Sequence, residues 1–244
     1  APGAGPPRAS SRPLGESAPH EVGKSGGLRM SADREAILRQ GAEAMGLNLT
    51  DGQTVKLLAY GDLILKWNKV YNLTALRDPA QVLTHHLLDS LSIIAPLQRQ
   101  CPEASRLLDV GSGAGLPGAV IAIMRPELSV SCVDAVAKKA AFIRQVSAEL
   151  GLPNLNGMHT RVESMGGSYD VISSRAFASL ADFFSGSQQL LAPGGVWMAM
   201  KGKLPSDEIA ELSAGGAEVF HVEQLTVPGL DAERCVVWAR KSAG

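Results

Sequence analysis

The segment from Leu107 to Gly118 carries the residues whose types and spacing most clearly indicate chemistry. An apolar run ends in an acid, Asp109, and continues through alternating glycines into a helical pattern. Glycine allows a positive φ and has no Cβ to keep a ligand away from the backbone. A strand, a glycine turn and a helix N-terminus in this order are typical of the nucleotide-cofactor site of doubly wound α/β domains. The sequence therefore predicts a cofactor site at this turn, with Gly111 and Gly113 against the ligand.

Two acids bear on which cofactor binds there. The run from Gly113 to Gly118 fits the G-x-G-x-x-G pattern of dinucleotide sites, so NAD remains an alternative. A carboxylate just before the turn, Asp109, opposes a pyrophosphate and favours the ammonium and sulfonium groups of S-adenosylmethionine. A second acid, Asp134, follows the strand pattern 129–133 at the spacing of a group that accepts hydrogen bonds from ribose hydroxyls. We therefore predict S-adenosylmethionine; the alternative for both acids is an ordinary structural role at a strand end.

The ends of the later predicted strands indicate what surrounds the cofactor and the acceptor. Val162 and Glu163 follow the third strand, where an acid and the adjacent backbone can meet an adenine edge. Arg175 ends the fourth strand, facing the transferred methyl group, and either borders the cofactor, grips an acceptor phosphate or holds structural carboxylates. Lys201 and Lys203 follow the fifth strand and are either phosphate ligands or part of a solvated loop.

The fourth strand end is also informative for what it lacks. Enzymes that methylate exocyclic amines usually place Asn or Asp before Pro-Pro and an aromatic residue there, and enzymes that methylate pyrimidine carbon use a cysteine. Neither pattern is present at residues 173–177, which favours a ring nitrogen with an available lone pair as the acceptor. For such an acceptor the main task is alignment for in-line displacement. We therefore predict no catalytic acid, base or nucleophile.

Two groups of residues before the α/β pattern also have chemical potential. His86 and Asp89 are i,i+3 neighbours on a predicted helix, close enough to hydrogen-bond. A structural pair that ties the helix to the adjacent domain is favoured over a catalytic pair. The segment from Trp67 to Asn72 mixes aromatic, amide and basic groups, which suits base stacking and phosphate binding. A capped helix end packed on the core fits that segment equally well.

Three regions are expected to position these groups. Residues 1–30 are rich in Pro, Gly, Ser and Ala and are predicted to form a disordered tail. Residues 31–100 are predicted to form an N-terminal helical segment packed on the core. Three helices are expected in this segment. The first covers 33–45, the second begins at a capping box formed by Thr50 and Gln53, and the third runs from Asp78 to about Ala95. Residues 101–244 are predicted to form the S-adenosylmethionine-binding domain.

Strand and helix patterns alternate from residue 107, which predicts a parallel sheet with flanking helices. Strands are expected at 107–110, 129–134, 156–160, 169–174, 195–200, 217–226 and 235–240, and helices at 117–124, 136–150, 179–191 and 205–214. Only a short connection from Pro228 to Asp231 joins the last two strands, so they should form an antiparallel hairpin. The predicted fold class is α/β, a Rossmann-like class I methyltransferase with a mostly parallel seven-stranded sheet, a C-terminal antiparallel hairpin and preceding N-terminal helices. Such a hairpin is unusual in dehydrogenases.

Composition limits the remaining function classes. The chain has 244 residues, of which 45% are hydrophobic and 19% charged, as in ordinary globular proteins. No apolar run approaches the ~20 residues needed to span a bilayer. Cys101, Cys132 and Cys235 are scattered and lack metal-type spacing, so we predict reduced thiols in a cytoplasmic protein and no metal site. The net charge of −1 gives no whole-chain support to nucleic-acid binding, so any such surface must be a local patch.

Several motifs in one order resemble a bacterial family. The motifs are Trp67 to Thr74, Arg77-Asp78-Pro79, His86 with Asp89 and Ser90, Asp109 to Gly118, Ser174 to Ala178, and Lys201-Gly202. They span about Leu47 to Arg240 and resemble the RsmG family of 16S rRNA (guanine-N7)-methyltransferases, also called glucose-inhibited division protein B.

The resemblance implies methyl transfer from S-adenosylmethionine to guanine N7 in the decoding region of 16S rRNA, within the small ribosomal subunit. By position, it implies that the cofactor is contacted by Gly111, Leu116, Val162, Glu163 and Arg175. It also implies that Asp134 and Ala135 lie beside the ribose and adenine of the cofactor. The chain departs from many relatives at His85, where they carry a basic residue, and its first thirty residues do not align with the family.

Overall fold

The computed structural model describes residues 23–175, 178–212 and 216–243, with side chains from residue 32 onward. The predicted tail therefore lies outside the described residues as far as residue 22. From there the chain is helical, and α1 (Gly23–Ala44) begins ten residues before the predicted start at Asp33. The buried positions that mark this helix, Leu38 and Ala42, come late in it, so the sequence pattern gives no sign of its earlier turns.

The second helix, α2 (Asp51–Tyr71), links the N-terminal segment to the glycine turn. The Thr50 hydroxyl accepts a hydrogen bond from the Gln53 amide at 3.1 Å, and the Gln53 side chain accepts one from the Thr50 amide at 3.0 Å. The predicted capping box is thus confirmed. Further along the helix, the hydroxyl of fully buried Tyr60 donates to the carbonyl of Ala114 inside the glycine turn.

The third predicted helix is not one regular α-helix. It consists of α3 (Pro79–Gln81), a π-helical segment (Val82–Leu88) and α4 (Asp89–Leu91), and α5 (Ile94–Gln100) follows. The Asp78 carboxylate accepts a hydrogen bond from the Ala80 amide at 3.0 Å, which confirms the predicted start. π-Helical segments are rare and frequently lie at functional sites. This one carries both His85 and His86.

Seven strands form one sheet in the order β3-β2-β1-β4-β5-β7-β6. The strands are β1 (Arg106–Val110), β2 (Ser129–Asp134), β3 (Leu155–His159), β4 (Tyr169–Arg175), β5 (Leu191–Lys201), β6 (Ala217–Leu225) and β7 (Arg234–Lys241). Strands β1 to β5 pair in parallel, and β7 is antiparallel to both of its neighbours. The predicted α/β fold with its C-terminal hairpin is confirmed. Because β7 is antiparallel, its first residue, Arg234, lies at the edge where the parallel strands end.

Among the described residues, four α-helices connect the strands. They are α6 (Gly118–Met124), α7 (Ala137–Leu150), α8 (Leu180–Ser187) and α9 (Ser206–Glu211). Each lies within its predicted range. Strand β5 begins four residues earlier than predicted because the chain pairs with β4 on both sides of a bulge. Leu191 lies opposite Tyr169, and Val196 lies opposite Val171.

Alternating strand residues contribute to two hydrophobic cores, one on each face of the sheet. In β1, Leu107 packs in the core that includes α2, α6 and α7, whereas Leu108 packs in the core beneath α8. The helices that precede β1 belong to the first core, in which Tyr60 and Leu87 are fully buried. The N-terminal helices therefore cover one face of the sheet and reach the carboxyl edge of its strands.

Candidate functional site

Glycines shape the turn between β1 and α6. Gly111 and Gly113 have φ values of 63° and 57°, which L side chains rarely adopt. The Gly111 amide donates to the Val133 carbonyl at 3.0 Å, which fixes the turn against the end of β2. A Cβ at Gly118 would lie 2.5 Å from the Cys132 Sγ, so glycine at that position lets α6 pack directly on β2.

Asp134 lies half-buried at the end of β2, beside this turn. One of its carboxylate oxygens accepts a hydrogen bond from the Gly113 amide at 3.2 Å, and the other accepts one from the Val136 amide at 2.8 Å. An ionised carboxylate has about four acceptor positions, so each oxygen keeps capacity for one more donor. The arrangement can accept two neighbouring hydroxyl groups in a fixed direction.

A cavity of about 350 Å³, which we term the glycine-turn cavity, opens at the ends of β1, β2 and β3. Its lining residues are Val110, Gly111, Val133, Asp134, Ala135, Lys139, Thr160, Arg161, Val162 and Glu163. The fold thus brings together five residues that the sequence assigned to the cofactor: Gly111, Asp134, Ala135, Val162 and Glu163. Its wall includes the apolar side chains of three valines and the carboxylates of Asp134 and Glu163.

The other three residues assigned to the cofactor lie elsewhere. Gly113 contributes the amide that orients Asp134. Leu116 is 3% exposed and packs in the core beneath the turn. Arg175 lines a second cavity at the same edge of the sheet.

Asp109 takes the structural role that was the alternative for this acid. Its fully buried carboxylate accepts hydrogen bonds from the Gly118 amide and the Ser173 hydroxyl, both at 2.9 Å. Burial raises the pKa of Asp109 to about 7, although the two hydrogen bonds act in the opposite direction. Side chains alternate along β1, so Asp109 points toward α6, whereas Val110 and Gly111 reach the cavity.

The second cavity, of about 460 Å³, lies between the π-helical segment and the edge formed by β4, β5 and β7. Its lining residues are Leu76, His85, His86, Asp89, Arg175, Met200, Lys201, Gly202 and Arg234, and we term it the arginine cavity. Asp89 is 1% exposed, and its two carboxylate oxygens accept hydrogen bonds from Arg175 at 3.0 Å and from Arg234 at 3.1 Å. Two arginines and Lys201 thus face this cavity with a single lining carboxylate.

His86 and Asp89 meet through Arg175 and not through the direct hydrogen bond that their spacing allows. The His86 Nδ1 lies 3.2 Å from Nη2 of Arg175, and the His86 Nε2 lies 2.7 Å from Oγ1 of Thr74. The His86 Nδ1 also lies 3.2 Å from the His85 carbonyl oxygen, so both ring nitrogens have polar partners. Burial and the charge of Arg175 lower the pKa of His86 to about 4, so the ring is neutral at pH 7.

Sequence reasoning missed Arg234, which is 145 residues from its partner Asp89. The signal for it lay in the predicted hairpin. An antiparallel last strand brings its first residue to the carboxyl edge of the parallel strands, where ligands bind. Lys201, which the sequence did single out, donates to the Ala178 carbonyl at 3.2 Å and to Glu208 at 3.3 Å, whereas Lys203 is exposed.

The segment from Trp67 to Asn72 divides into packing residues and one exposed ring. The buried side chain of Asn68 bridges backbone groups of the loop that follows α2. Trp67 packs edge-on against Phe142, with ring centroids 5.4 Å apart. Tyr71, at the end of the helix, remains 39% exposed.

Over the described ranges, no three His, Cys, Asp or Glu side chains are grouped so that they would hold a metal ion. Nor does any helix in that part of the chain combine the length and the apolar character needed to cross a membrane. Cys101, Cys132 and Cys235 are not joined in disulfides.

Comparison with known proteins adds a family match. The GidB family model, described as rRNA small subunit methyltransferase G, matches residues 53–237. The chain is 60% identical over 218 residues to the Ribosomal RNA small subunit methyltransferase G of Acidovorax sp. (strain JS42), which covers 86% of this chain and 96% of that protein. It is 61% identical over 215 residues to the protein of the same name from Polaromonas sp. (strain JS666 / ATCC BAA-500), with coverage of 86% and 95%.

Solved structures agree on the fold. The glycopeptide N-methyltransferase MtfA complexed with sinefungin has a TM-score of 0.55 at 10% identity, over 65% of this chain and 88% of that chain. The 1,6-didemethyltoxoflavin-N1-methyltransferase of Burkholderia thailandensis, solved with S-adenosylhomocysteine, has a TM-score of 0.54 at 14% identity, over 81% and 93%. At these identities the likeness concerns the fold alone.

Proposed function

Because this chain belongs to the rRNA small subunit methyltransferase G family, we propose that it transfers a methyl group from S-adenosylmethionine to guanine N7 of 16S rRNA. The observation that carries the cofactor assignment is the glycine-turn cavity, which brings together five residues assigned from sequence, among them Asp134 with its carboxylate held by two backbone amides. The guanine N7 acceptor is supported by the family resemblance and by the chemistry of the fourth strand end.

The glycine-turn cavity fits the parts of S-adenosylmethionine. Asp134 offers acceptors to the ribose hydroxyls, and Ala135 and Val162 offer apolar surface to the adenine ring. Glu163 offers a further acceptor to the adenine edge, and Gly111 lets the ligand approach the backbone. When bound, the sulfonium supplies an electrophilic methyl group.

We place the acceptor nucleotide at the arginine cavity. Arg175, Lys201 and Arg234 present permanent positive charge that attracts phosphate groups. Asp89 binds both arginines and so fixes the direction of their remaining N–H groups. These cations therefore position the RNA and do not react with it.

No side chain has to act as a base in this reaction. Guanine N7 carries an available lone pair at neutral pH, so no proton has to be removed before it attacks the methyl group. His86, which would suit proton transfer, already has Arg175 on one ring nitrogen and Thr74 on the other. Catalysis then consists of aligning N7 with the methyl group and of placing polar groups near the positive charge that develops on the ring.

The same proposal assigns the protein's partner and location. Its partner is the small ribosomal subunit, and a cytoplasmic location follows from that partner. We expect no requirement for a metal ion.

Transfer of tritiated methyl groups to small ribosomal subunits from cells that lack the protein tests this function. Digestion of the labelled rRNA should release 7-methylguanine, and subunits that already carry the methyl group should accept no label. Label at any other position of the rRNA would contradict the N7 assignment.

The same experiment, together with a measurement of NAD binding, separates the alternatives. A small-molecule methyltransferase would label metabolites but not rRNA, and a non-enzymatic RNA-binding protein would bind cofactor and RNA without turnover. A dehydrogenase would bind NAD at concentrations at which S-adenosylhomocysteine saturates the wild-type protein; we expect no NAD binding under those conditions.

A further inference from the structure

The end of α2 and the start of α7 form an exposed surface outside both cavities. Tyr71 is 39% exposed, Val70 is 70% exposed and Val136 is 46% exposed. The Nζ of Lys138 lies 5.1 Å from the centroid of the Tyr71 ring, which brings the two helices together at this point. We term these four residues the Tyr71 surface.

The Tyr71 ring has a rigid support. Its centroid is 5.3 Å from that of Trp67, and Trp67 in turn packs 5.4 Å from Phe142, which is fully buried. This series of rings orients the exposed Tyr71 before any partner binds. Trp67 and Phe142 carry the packing, so Tyr71 can be changed without opening the core.

The two segments that carry this surface are strongly basic. Residues 63–77 and 135–148 contain no Asp or Glu, in a chain whose net charge is −1. Their lysines and arginines are Lys66, Lys69, Arg77, Lys138, Lys139 and Arg144. None of these six side chains forms a salt bridge with a carboxylate of the described residues. These two segments therefore carry an excess of positive charge that the net charge of the whole chain does not reveal, and such an excess attracts a polyanion.

The chain connects the Tyr71 surface to both cavities. Lys139, next to Lys138 in sequence, lines the glycine-turn cavity. The loop after Tyr71 passes the glycine turn, where the Leu73 carbonyl lies 3.9 Å from the position of a Cβ on Gly113. That loop then reaches Leu76, which lines the arginine cavity.

We propose that the Tyr71 surface binds an unpaired segment of the substrate rRNA that flanks the methylated nucleotide, with one base stacked on Tyr71 and a phosphate held by Lys138. The proposal rests on the proposed function, because it requires an rRNA substrate. Lys138 has no carboxylate partner to give up, so its ammonium group can move from the ring to a phosphate. Base stacking on an aromatic ring is stronger than an exposed cation–π contact, so this exchange is favourable.

The composition of the surface selects this occupant over others. An aromatic ring among lysines is typical of sites for single-stranded nucleic acid. The centres of protein–protein interfaces are depleted in lysine. The bases of duplex RNA are already stacked on one another, so a duplex offers Tyr71 nothing to stack on.

Two matched sets of variants test the proposal. Tyr71→Ala removes the ring and Tyr71→Phe keeps it, while Val55→Ala serves as a control because Val55 is 66% exposed on the same helix. Lys138→Gln removes the phosphate ligand, with Lys56→Gln in α2 as its control. Each variant is measured for binding to protein-free 16S rRNA at several salt concentrations, for KM and kcat on small subunits, and for affinity to S-adenosylhomocysteine.

We expect Tyr71→Ala to weaken rRNA binding and to raise KM about tenfold, the typical loss when one base loses its stacking partner. Its kcat and its affinity for S-adenosylhomocysteine should stay within about twofold of wild type, and Tyr71→Phe should bind rRNA like wild type. Lys138→Gln should reduce the slope of log affinity against log salt by about 0.7, the value for one single-strand phosphate contact. Val55→Ala and Lys56→Gln should match wild type.

Unchanged rRNA binding by Tyr71→Ala, or an equal loss in Tyr71→Phe, would overturn the proposal. So would a parallel loss of S-adenosylhomocysteine affinity, which would assign Tyr71 to the cofactor site. A raised KM on subunits with unchanged binding to protein-free rRNA would assign the surface to a ribosomal protein and also overturn it. If the wild-type protein binds 16S rRNA but does not methylate it, the proposed function fails, whereas the binding measurements still decide the role of Tyr71.

Discussion

The two cavities at the carboxyl edge of the sheet are built in opposite ways. In the glycine-turn cavity, the carboxylate of Asp134 is fixed by two backbone amides, that of Val136 two residues away and that of Gly113 21 residues away. In the arginine cavity, Asp89 binds side chains that are 86 and 145 residues away, Arg175 and Arg234. The first cavity therefore depends on backbone conformation, and the second depends on one buried carboxylate.

Replacing that carboxylate should have the largest effect on stability. In an Asp89→Ala variant, Arg175 and Arg234 lose their shared partner in a site where Asp89 is 1% exposed. Removing one member of a buried ion pair costs about 3–5 kcal/mol, and partial exposure of the two arginines places the expected loss near 3 kcal/mol. Denaturant unfolding measures this loss, and methyl transfer to small subunits should disappear with it.

An exposed ion pair is the control for this variant. Asp62 binds Arg34 at 2.9 Å, but the Asp62 side chain is 61% exposed. Its replacement by Ala should change the unfolding free energy by less than about 1 kcal/mol. Equal losses in the two variants would contradict the central role assigned to Asp89.

The glycine-turn cavity should respond to the backbone instead. Gly111 has a φ of 63° and lines the cavity, so a side chain there strains the turn directly beside the ligand. We expect Gly111→Val to weaken binding of S-adenosylhomocysteine at least about a hundredfold, measured by calorimetry, because the ligand can no longer approach the backbone. The fold should remain largely intact, with a loss of about 1–2 kcal/mol from the left-handed conformation.

Gly151 provides a matched control for the backbone strain. Its φ is 61°, and no atom lies within 4 Å of the position of its Cβ. Gly151→Val should therefore lose a similar unfolding free energy without any loss of cofactor affinity. Normal affinity in Gly111→Val would disprove the placement of the cofactor.

The contrast between the cavities also explains what the sequence could predict. Strand ends, glycine turns and acids such as Asp134 follow local patterns, which predict four of the five residues assigned to the glycine-turn cavity, whereas Ala135 is assigned only through the family resemblance. The contacts of Asp89 depend on which distant elements the fold brings together. For Arg234, the sequence offers one indication: the predicted antiparallel hairpin places the first residue of β7 at the carboxyl edge of the parallel strands.

Asp109 shows a limit of a different kind. Its position before the turn was predicted correctly, but its role depends on which face of β1 it occupies. Leu107 and Asp109 share the face covered by α6, so the carboxylate is buried against Gly118 and Ser173. A sequence motif gives the order of residues along a strand, whereas burial decides which of them meet the ligand.

The buried Asp109 should therefore give the fold a measurable pH dependence. Burial raises its pKa from the ordinary 3.8 to about 7, so the native state binds this proton more tightly than the unfolded state. Its stabilising contribution is complete below pH 3.8 and is lost as the pH rises through 7. Between pH 5 and pH 7 we expect this loss to reach about 2 kcal/mol. The Asp109→Asn variant should not show this loss. The difference in unfolding free energy between the variant and wild type should therefore change by about 2 kcal/mol between pH 5 and pH 7.

The smallest expected effect belongs to His86 in the arginine cavity, and its sign is opposite. Burial and Arg175 lower the pKa of His86 from 6.5 to about 4, so the unfolded state binds the proton more tightly. Its contribution is complete well above pH 6.5 and is lost as the pH falls toward 4, by about 1.5 kcal/mol between pH 6.5 and pH 5. Between pH 5 and pH 6.5 the stability contributions of Asp109 and His86 change in opposite directions. The two changes therefore largely cancel in the unfolding free energy of the wild-type protein. Unfolding of His86→Gln should therefore show a steeper decline as the pH rises from 5 to 6.5, since only the Asp109 term remains. A ring resonance of His86 that titrates above pH 6 would show that Arg175 does not bind the neutral ring.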